Sequence, residues 1–191
     1  INELFWTPGG NPHLRPERGY TLDGAATATW KFRSIQFQLN GGLYRHLIDD
    51  WLQWVPGSAG FWEARNVKKV EARGTELSLR SSWSNSRSRV LFTAHYSFTE
   101  SVVRESDVAG SAETGRQLIY VPYNKGGGMV TLSHGLISIY TAATFSGFFF
   151  TDPSNSYYLD GHQLFDAGIT LQGKKRFAPV LSFRVMNLFN Q

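Results

Sequence analysis

The most constraining feature of this sequence is a repeated alternation of apolar and polar residues with a period of two. It is clearest in residues 20–30, 35–43, 90–98 and 165–171, and it returns near the end of the chain in residues 178–191. Successive side chains of a β-strand point to opposite sides, so this pattern predicts strands with one apolar and one polar face. The sequence therefore predicts an all-β protein of about eight strands.

The connections between the predicted strands alternate between short and long. Short turns are predicted at residues 31–34, 84–88, 134–135 and 173–177, and long connections at residues 49–65, 100–116 and 151–162. Alternate connections of an antiparallel meander lie at opposite ends of the sheet, so all the short turns share one end. Short turns at one end and long loops at the other are typical of outer-membrane β-barrels.

The residue types on the polar face favour the same interpretation. They are mostly Ser, Thr, Gln, Asn, Gly and Ala, and only 18% of the chain is charged, against roughly 25% in soluble domains. A water-soluble sandwich would usually carry many Lys and Glu residues there. Aromatic residues gather near the predicted strand ends, as an interfacial girdle requires: Tyr20, Trp30, Tyr96, Phe98, Phe145 and Phe148. We therefore expect an antiparallel transmembrane β-barrel with the polar face towards its lumen.

One predicted strand is interrupted. Residues 129–133 alternate and form the secure part of that strand. Pro122 and the glycines at 126–128 precede them, and residues 117–125 predict an irregular segment that leads into the strand, called here a loose descent. The three glycines follow no phosphate-binding strand-to-helix pattern. They predict a flexible or closely packed segment.

Several function classes are disfavoured by the composition. The net charge of +4 comes from dispersed residues and not from a basic patch, so we expect no nucleic-acid partner. The absence of cysteine excludes a disulfide framework and a cysteine zinc site. The five histidines show no local metal-binding spacing, and no carboxylate pair or nucleophile constellation stands out. We expect no enzymatic activity, no metal site and no cofactor.

Three motifs occur in an order that resembles a known family. They are N-P-H-L-R-P-E at residues 11–17, an Asn66 followed by G-T-E-L at residues 74–77, and N-L-F-N at residues 187–190. Together they resemble TonB-dependent outer-membrane receptors over essentially the whole chain. The resemblance implies that residues 1–191 are the C-terminal portion of the receptor barrel, about eight consecutive meander strands. The N-terminal plug domain and the final strand are then expected to be absent from this sequence.

The resemblance also implies a function. A complete receptor of this family is a plugged barrel of about 22 strands in the outer membrane of a Gram-negative bacterium. It imports a scarce nutrient, here cobalamin or a ferric siderophore, and the first segment of the chain looks most like receptors for these ligands. The implied partners are the TonB–ExbB–ExbD complex acting through the plug, outer-membrane lipid, the small-molecule ligand and a surface lipoprotein.

The long connections contain the candidate ligand-binding residues, which are aromatic or cationic: Trp51, Trp54, Phe61, Trp62, Arg104, Arg116, Tyr157 and Tyr158. Aromatic side chains on exposed loops can stack on a ligand. They can equally cover the loop itself or lie at the lipid boundary, and the sequence leaves both interpretations open. The alternative from another class is a soluble, secreted β-sandwich that binds carbohydrate through Trp51, Trp54 and Trp62.

Overall fold

The computed structural model describes residues 2–106, 112–173 and 179–190. Eight strands form one antiparallel sheet in the order β1-β2-β3-β4-β5-β6-β9-β10, and β7 pairs with β8. The elements are α1 Asn2–Phe5, β1 Arg18–Phe32, β2 Ile35–Pro56, β3 Trp62–Ser84, β4 Ser88–Glu105, β5 Asn124–His134, β6 Ile137–Ser146, β7 Phe149–Phe150, β8 Tyr158–Leu159, β9 His162–Gln172 and β10 Val180–Val185. The predicted all-β, antiparallel meander is confirmed.

The short turns lie together at one end of the sheet. They join β1 to β2 through residues 33–34, β3 to β4 through residues 85–87, and β5 to β6 through residues 135–136. Asn85 stabilises the second turn, because its side-chain oxygen accepts hydrogen bonds from the backbone N–H groups of Arg87 and Ser88 at 2.9 and 2.8 Å. The fourth predicted turn, residues 173–177, falls almost entirely outside the described residues.

The predicted connection at residues 49–65 is wrong, because most of it is strand. Strand β2 continues to Pro56 and β3 begins at Trp62, so only residues 57–61 form the tip of this hairpin. The segment Trp51–Val55 is rich in aromatic and β-branched residues, which favour strands. Asp50 has a φ of 58°, yet the register on its two sides is continuous, with Asp49 opposite Lys69 and Trp51 opposite Val67. The hairpin therefore continues past this residue.

Two further strands, β4 and β5, are also longer than predicted. Strand β4 continues to Glu105, and β5 starts at Asn124, so the three glycines lie inside a paired strand. A Cβ added at Gly126 would lie 2.6 Å from a ring atom of Phe145. The rings of Tyr96 and Phe145, from the two neighbouring strands, stack over this glycine with centroids 6.5 Å apart. The glycine run is therefore a closely packed segment.

The two faces of the sheet differ in chemistry. On the apolar face Leu39 lies opposite Ala28 and Leu79, and large side chains such as Leu22 remain 74% exposed. On the polar face Asn40 accepts a hydrogen bond from Thr27 and donates one to Ser78, both at 2.9 Å. A soluble sandwich would cover the apolar face with a second sheet, whereas the described residues form one eight-stranded sheet and a two-stranded hairpin. The sandwich alternative is wrong.

A small hydrophobic core lies near the long-connection end. Val67, Val70, Val103 and Leu118 are buried together, with Trp51 and Val121 against them. The loop that carries Leu118 is held by buried Gln117, whose side-chain oxygen accepts a hydrogen bond from the backbone N–H of Ser101 at 2.8 Å. The core is small because the chain is an open wall, and most of its apolar surface faces outward.

Candidate functional site at the long-connection end

Three aromatic residues from different segments lie together at the long-connection end, here called the aromatic platform; Trp62 and Tyr120 are exposed and Phe149 is half-buried. Trp62 begins β3, Tyr120 lies before β5, and Phe149 begins β7. The ring centroids of Trp62 and Tyr120 are 5.8 Å apart, and those of Tyr120 and Phe149 are 5.6 Å apart. The backbone N–H of Tyr120 donates to the carbonyl of Phe150 at 2.9 Å, which fixes the loop to β7. The platform offers flat apolar surface to a ligand.

A second aromatic group lies at the edge of the apolar face. Phe98, on the apolar face of β4, stacks on Tyr123 with centroids 6.2 Å apart. Phe148 contacts both Tyr123 and Tyr158, at 6.0 and 5.8 Å. Aromatic residues at this height of a membrane barrel form the interfacial girdle. The group therefore continues the apolar face towards the long connections.

The polar face contains a hollow of about 540 Å³ beside the small core. One side is polar, and the other is apolar and includes Trp51 and Leu118. The polar side is formed by Thr21, Asp23, Tyr44, His46 and Glu76. The hydroxyl groups of Tyr44 and Thr99 are hydrogen bonded at 2.7 Å, which holds the Tyr44 ring across Gly74. A hollow with mixed walls can hold a molecule that has both polar and apolar parts.

The loop between β7 and β8 is organised by Asp152. Its carboxylate accepts hydrogen bonds from the backbone N–H groups of Ser154, Ser156 and Tyr157 at 3.2, 3.2 and 2.6 Å, and from the Ser154 hydroxyl. Burial by itself would raise the pKa of this carboxyl. The hydrogen bonds outweigh burial and lower the pKa below its ordinary value.

We expect Asp152→Asn to loosen this loop, because an amide keeps one acceptor oxygen where the carboxylate uses two. Backbone exchange at Tyr157 should accelerate on the order of tenfold at pH 7. The lowered pKa stabilises the wild-type loop above the ordinary value of about 3.9, and this contribution is lost as the pH falls through the depressed pKa. Hydrogen exchange against pH measures both effects. Asp160→Asn, at an exposed position, is the control, and equal exchange in the two variants would contradict the role of Asp152.

The structure distributes the eight candidate residues over several places. Trp62 belongs to the aromatic platform and Trp51 to the hollow. Trp54 lies beside Gly9, where an added Cβ would be 3.2 Å from its ring, and Phe61 is exposed at the hairpin tip. The Nε of Arg104 donates to Glu71 at 2.6 Å. Arg116 is exposed, and its backbone carbonyl accepts a hydrogen bond from the N–H of Val103. Tyr157 is 72% exposed, and the ring of Tyr158 contacts that of Phe148.

Sequence reasoning missed Tyr120 and Phe149 of the platform. Tyr120 lies in Y-V-P-Y at residues 120–123, and Phe149 in F-F-F at residues 148–150. Neither cluster lies in a predicted long connection, since residues 120–123 follow the one at 100–116 and residues 148–150 precede the one at 151–162, so the rule that selected Trp62 passed over both. Their meeting with Trp62 depends on the folding of residues 112–123 against β7, which no local pattern shows.

Two features typical of other protein classes are missing from the described residues. Among residues 2–106, 112–173 and 179–190, no group of three His, Asp or Glu side chains is placed to hold a metal ion. The same part of the chain contains no helix with the length and apolar character needed to cross a membrane.

An antiparallel sheet with an exposed apolar face, a polar inner face and turns sorted by length defines part of a transmembrane β-barrel. The family model described as TonB dependent receptor-like, beta-barrel, matches residues 1–188. The chain belongs to this family.

Curated relatives and solved structures agree with this assignment. The chain is 30% identical over 78 residues to the vitamin B12 transporter BtuB of Vibrio vulnificus, which covers 40% of this chain and 12% of that protein. The vitamin B12 transporter BtuB of Photobacterium profundum is 31% identical over 81 residues, covering 40% and 13%. The chain thus spans about an eighth of these relatives.

Among solved structures, the copper transporter OprC superposes with a TM-score of 0.66 at 16% identity, over 95% of this chain and 26% of that one. The ferric citrate transporter FecA superposes with a TM-score of 0.63 at 17% identity, over 92% and 26%. The ferric yersiniabactin uptake receptor FyuA of Yersinia pestis superposes with a TM-score of 0.58 at 15% identity, over 91% of this chain and 25% of that one. These likenesses show the barrel fold.

Proposed function

We propose that this chain is the C-terminal portion of the barrel of a longer receptor that imports a scarce nutrient across the outer membrane of a Gram-negative bacterium. The observation that carries the proposal is the division of the sheet into an exposed apolar face and a polar face with a hydrogen-bonded Thr27–Asn40–Ser78 ladder. Such a wall fits lipid on one side and a water-filled or plugged lumen on the other. The barrel performs no chemical step.

Cobalamin is the first ligand to test and a ferric siderophore the second. Support for cobalamin comes from the two BtuB relatives, and support for iron ligands from the structural likeness to FyuA and FecA. The aromatic platform suits both classes, because the apolar edge of a corrin and the aromatic ring of a catecholate can both pack against aromatic side chains. The eight candidate residues remain proposed ligand contacts, with Trp62 and Trp51 the best placed.

Energy for import is proposed to come from the inner membrane. In this scheme the TonB–ExbB–ExbD complex acts on a plug domain that the present chain does not contribute, and the polar face described here contacts that plug. A surface lipoprotein that delivers the ligand is a further proposed partner at the long-connection end.

The test is uptake by cells that carry or lack the complete gene. Labelled cyanocobalamin and labelled ferric siderophores are offered in turn to each strain, with and without TonB. We expect uptake of one ligand that requires both the receptor and TonB. The outer-membrane fraction should contain the receptor as a compact band that shifts on heating. Recovery in the soluble fraction without a heat shift would overturn the proposal.

We expect Trp62→Ala and Tyr120→Ala each to weaken binding of the imported ligand about tenfold, which is about 1.4 kcal/mol, because each removes an aromatic ring from the platform. Equilibrium binding to outer-membrane vesicles measures this. Phe5→Ala is the control, since Phe5 is 70% exposed and lies outside the platform. Unchanged affinity in both platform variants would exclude the platform as the binding surface.

A further inference from the structure

Positive charge without negative charge surrounds the short turns. The stretches within five residues of the four turns are 28–39, 80–92, 130–141 and 168–184. They contain nine of the 19 Lys and Arg residues and none of the 15 Asp and Glu residues. The ion pairs between described residues all lie outside these stretches. The described cations beside the short turns therefore have no partner carboxylate within the described part of the chain.

Two of these cations, Arg87 and Arg89, line a hollow of about 400 Å³ beside the turn between β3 and β4, here called the serine–arginine hollow. Its other lining residues are five serines, Gln36, Asn85 and Gly135. No carboxylate and no large apolar side chain lines it. Guanidinium, hydroxyl and amide groups all donate hydrogen bonds. The hollow is therefore rich in donors and positively charged.

The register places this hollow on the polar face of the sheet. Arg89 lies directly opposite Ser84 of β3 and Ser133 of β5, and directly opposite residues share a face. Ser84 is an even number of positions from Ser78, which donates and accepts hydrogen bonds on the polar face beside Asn40. The hollow therefore lies on the side away from lipid.

The backbone around Arg87 is fixed before any ligand binds. The N–H of Arg87 donates to the Asn85 side-chain oxygen at 2.9 Å, and its carbonyl accepts from the N–H of Gly135 at 3.0 Å. The Ser88 hydroxyl is hydrogen bonded to Nδ1 of His134 at 2.8 Å. The second and third short turns are thus joined, so ligand binding has to order only the side chains of the hollow.

Nearby charges reinforce the positive potential. Lys31 lies directly opposite Gln36, and Arg80 is two positions from Ser82, so both cations flank the hollow on the polar face. On strands β2 to β5 the carboxylate nearest along the strand is Glu76, eight positions from Ser84 or about 27 Å. Interactions are screened beyond about 8 Å at physiological ionic strength. Glu76 therefore leaves the charge of the hollow uncompensated.

We propose that the serine–arginine hollow is a binding site for an oxyanion, a carboxylate or phosphate group. The guanidinium groups of Arg87 and Arg89 hold its oxygens bidentately, and serine hydroxyls donate further hydrogen bonds. Under the proposed function the short turns face the periplasm, so the ligand enters from that side or from the lumen. The oxyanion belongs to a small solute or to an acidic polypeptide segment, two sources with the same chemistry.

The test is hydrogen exchange at residues 84–90 of the complete receptor, purified in mild detergent. Inorganic phosphate, citrate and tetraglutamate are added separately, with chloride at equal ionic strength as the reference. We expect the oxyanion that binds to slow exchange of this turn about tenfold when it is in about tenfold excess over its Kd. The double variant Arg87→Gln/Arg89→Gln should lose this protection, and Arg87→Lys/Arg89→Lys, which keeps the charge, should retain part of it. Arg33→Gln, at the first short turn and outside the hollow, is the matched control and should keep it all.

The outcomes separate the two sources. Protection by phosphate or citrate assigns the site to a small solute. Protection by tetraglutamate alone assigns it to an acidic polypeptide. A turn that is protected before any addition, and that exchanges about tenfold faster in the glutamine double variant but not in the lysine one, assigns it to an acidic segment of the receptor itself.

Equal exchange of wild type and the glutamine double variant under every condition would overturn the proposal. The same loss of protection in Arg33→Gln would overturn it as well, because the effect would then come from net charge and not from the hollow. Nutrient uptake is measured in parallel and is a separate outcome. A receptor that imports its ligand but shows no oxyanion effect keeps the transport function and loses this site.

Discussion

Ala28→Arg will destabilise the complete receptor by about 2–4 kcal/mol, whereas Thr29→Arg will cost less than about 1 kcal/mol. The two residues are neighbours in β1, both are exposed in this chain, and Ala28 lies four residues before the end of the strand at the short turn. Ala28 lies opposite Leu39 on the apolar face, and Thr29 lies opposite Gln38 on the polar face. Only the first substitution places a guanidinium in the hydrocarbon near the bilayer centre.

Guanidinium chloride unfolding in lipid vesicles measures this difference, and the fraction of heat-shifted band gives a second readout. Because the two variants differ only in the face that receives the same side chain, strand propensity and added volume largely cancel. Equal destabilisation would mean that both faces meet the same environment, and the assignment of the apolar face to lipid would be wrong.

Gly74→Ala will have the next largest effect, a destabilisation of about 1–3 kcal/mol from overpacking. A Cβ at this position would lie 2.2 Å from the carbonyl oxygen of Phe98 and 2.5 Å from the Tyr44 hydroxyl. The Tyr44 ring would have to move, which breaks its hydrogen bond to Thr99. Unfolding of the reconstituted receptor by denaturant measures the loss.

Gly24→Ala is the matched control, because an added Cβ there has no neighbour within 4 Å among the described residues. Tyr44→Phe separates the two contributions to the Gly74 effect. It removes the hydrogen bond and leaves the ring in place, so it should cost about 1 kcal/mol. A Gly74→Ala variant as stable as the control would show that the glycine is not required by packing.

The strands and the sorting of turns by length could be predicted from the sequence because both follow from local periodicity. The hairpin tip could not, because the Asp50 irregularity and the aromatic run 51–55 break the period of two while pairing continues. Residues 117–125 show no regular alternation, so the sequence did not predict that Leu118 is part of the buried core. That burial depends on long-range contacts with Val67, Val70 and Val103. The pattern predicted where strands occur better than how far they extend.

For the candidate site, the sequence selected aromatic residues of the long connections as ligand contacts, which stays a prediction, and the structure places one of them, Trp62, in an aromatic group. The sequence could not predict which rings meet, since Trp62, Tyr120 and Phe149 are brought together by three separate connections. Arg104 was selected as a loop residue, whereas β4 extends through it and its side chain forms an ion pair with Glu71. Strand extension accounts for the difference at Arg104, and long-range folding accounts for the meeting of the three rings.

In the hairpin of β2 and β3, the paired strands and the tip differ in how well they tolerate changes of sequence and length. Below the tip each residue has a partner on both sides of its strand over most of its length, so an insertion would shift the register and exchange the faces. Residues 57–61 have no such constraint, and loop tips tolerate exchange. The tip can therefore change in length and sequence without exchanging the faces of the wall. Under the proposed function, recognition by the long connections can then diversify faster than the strands that form the barrel.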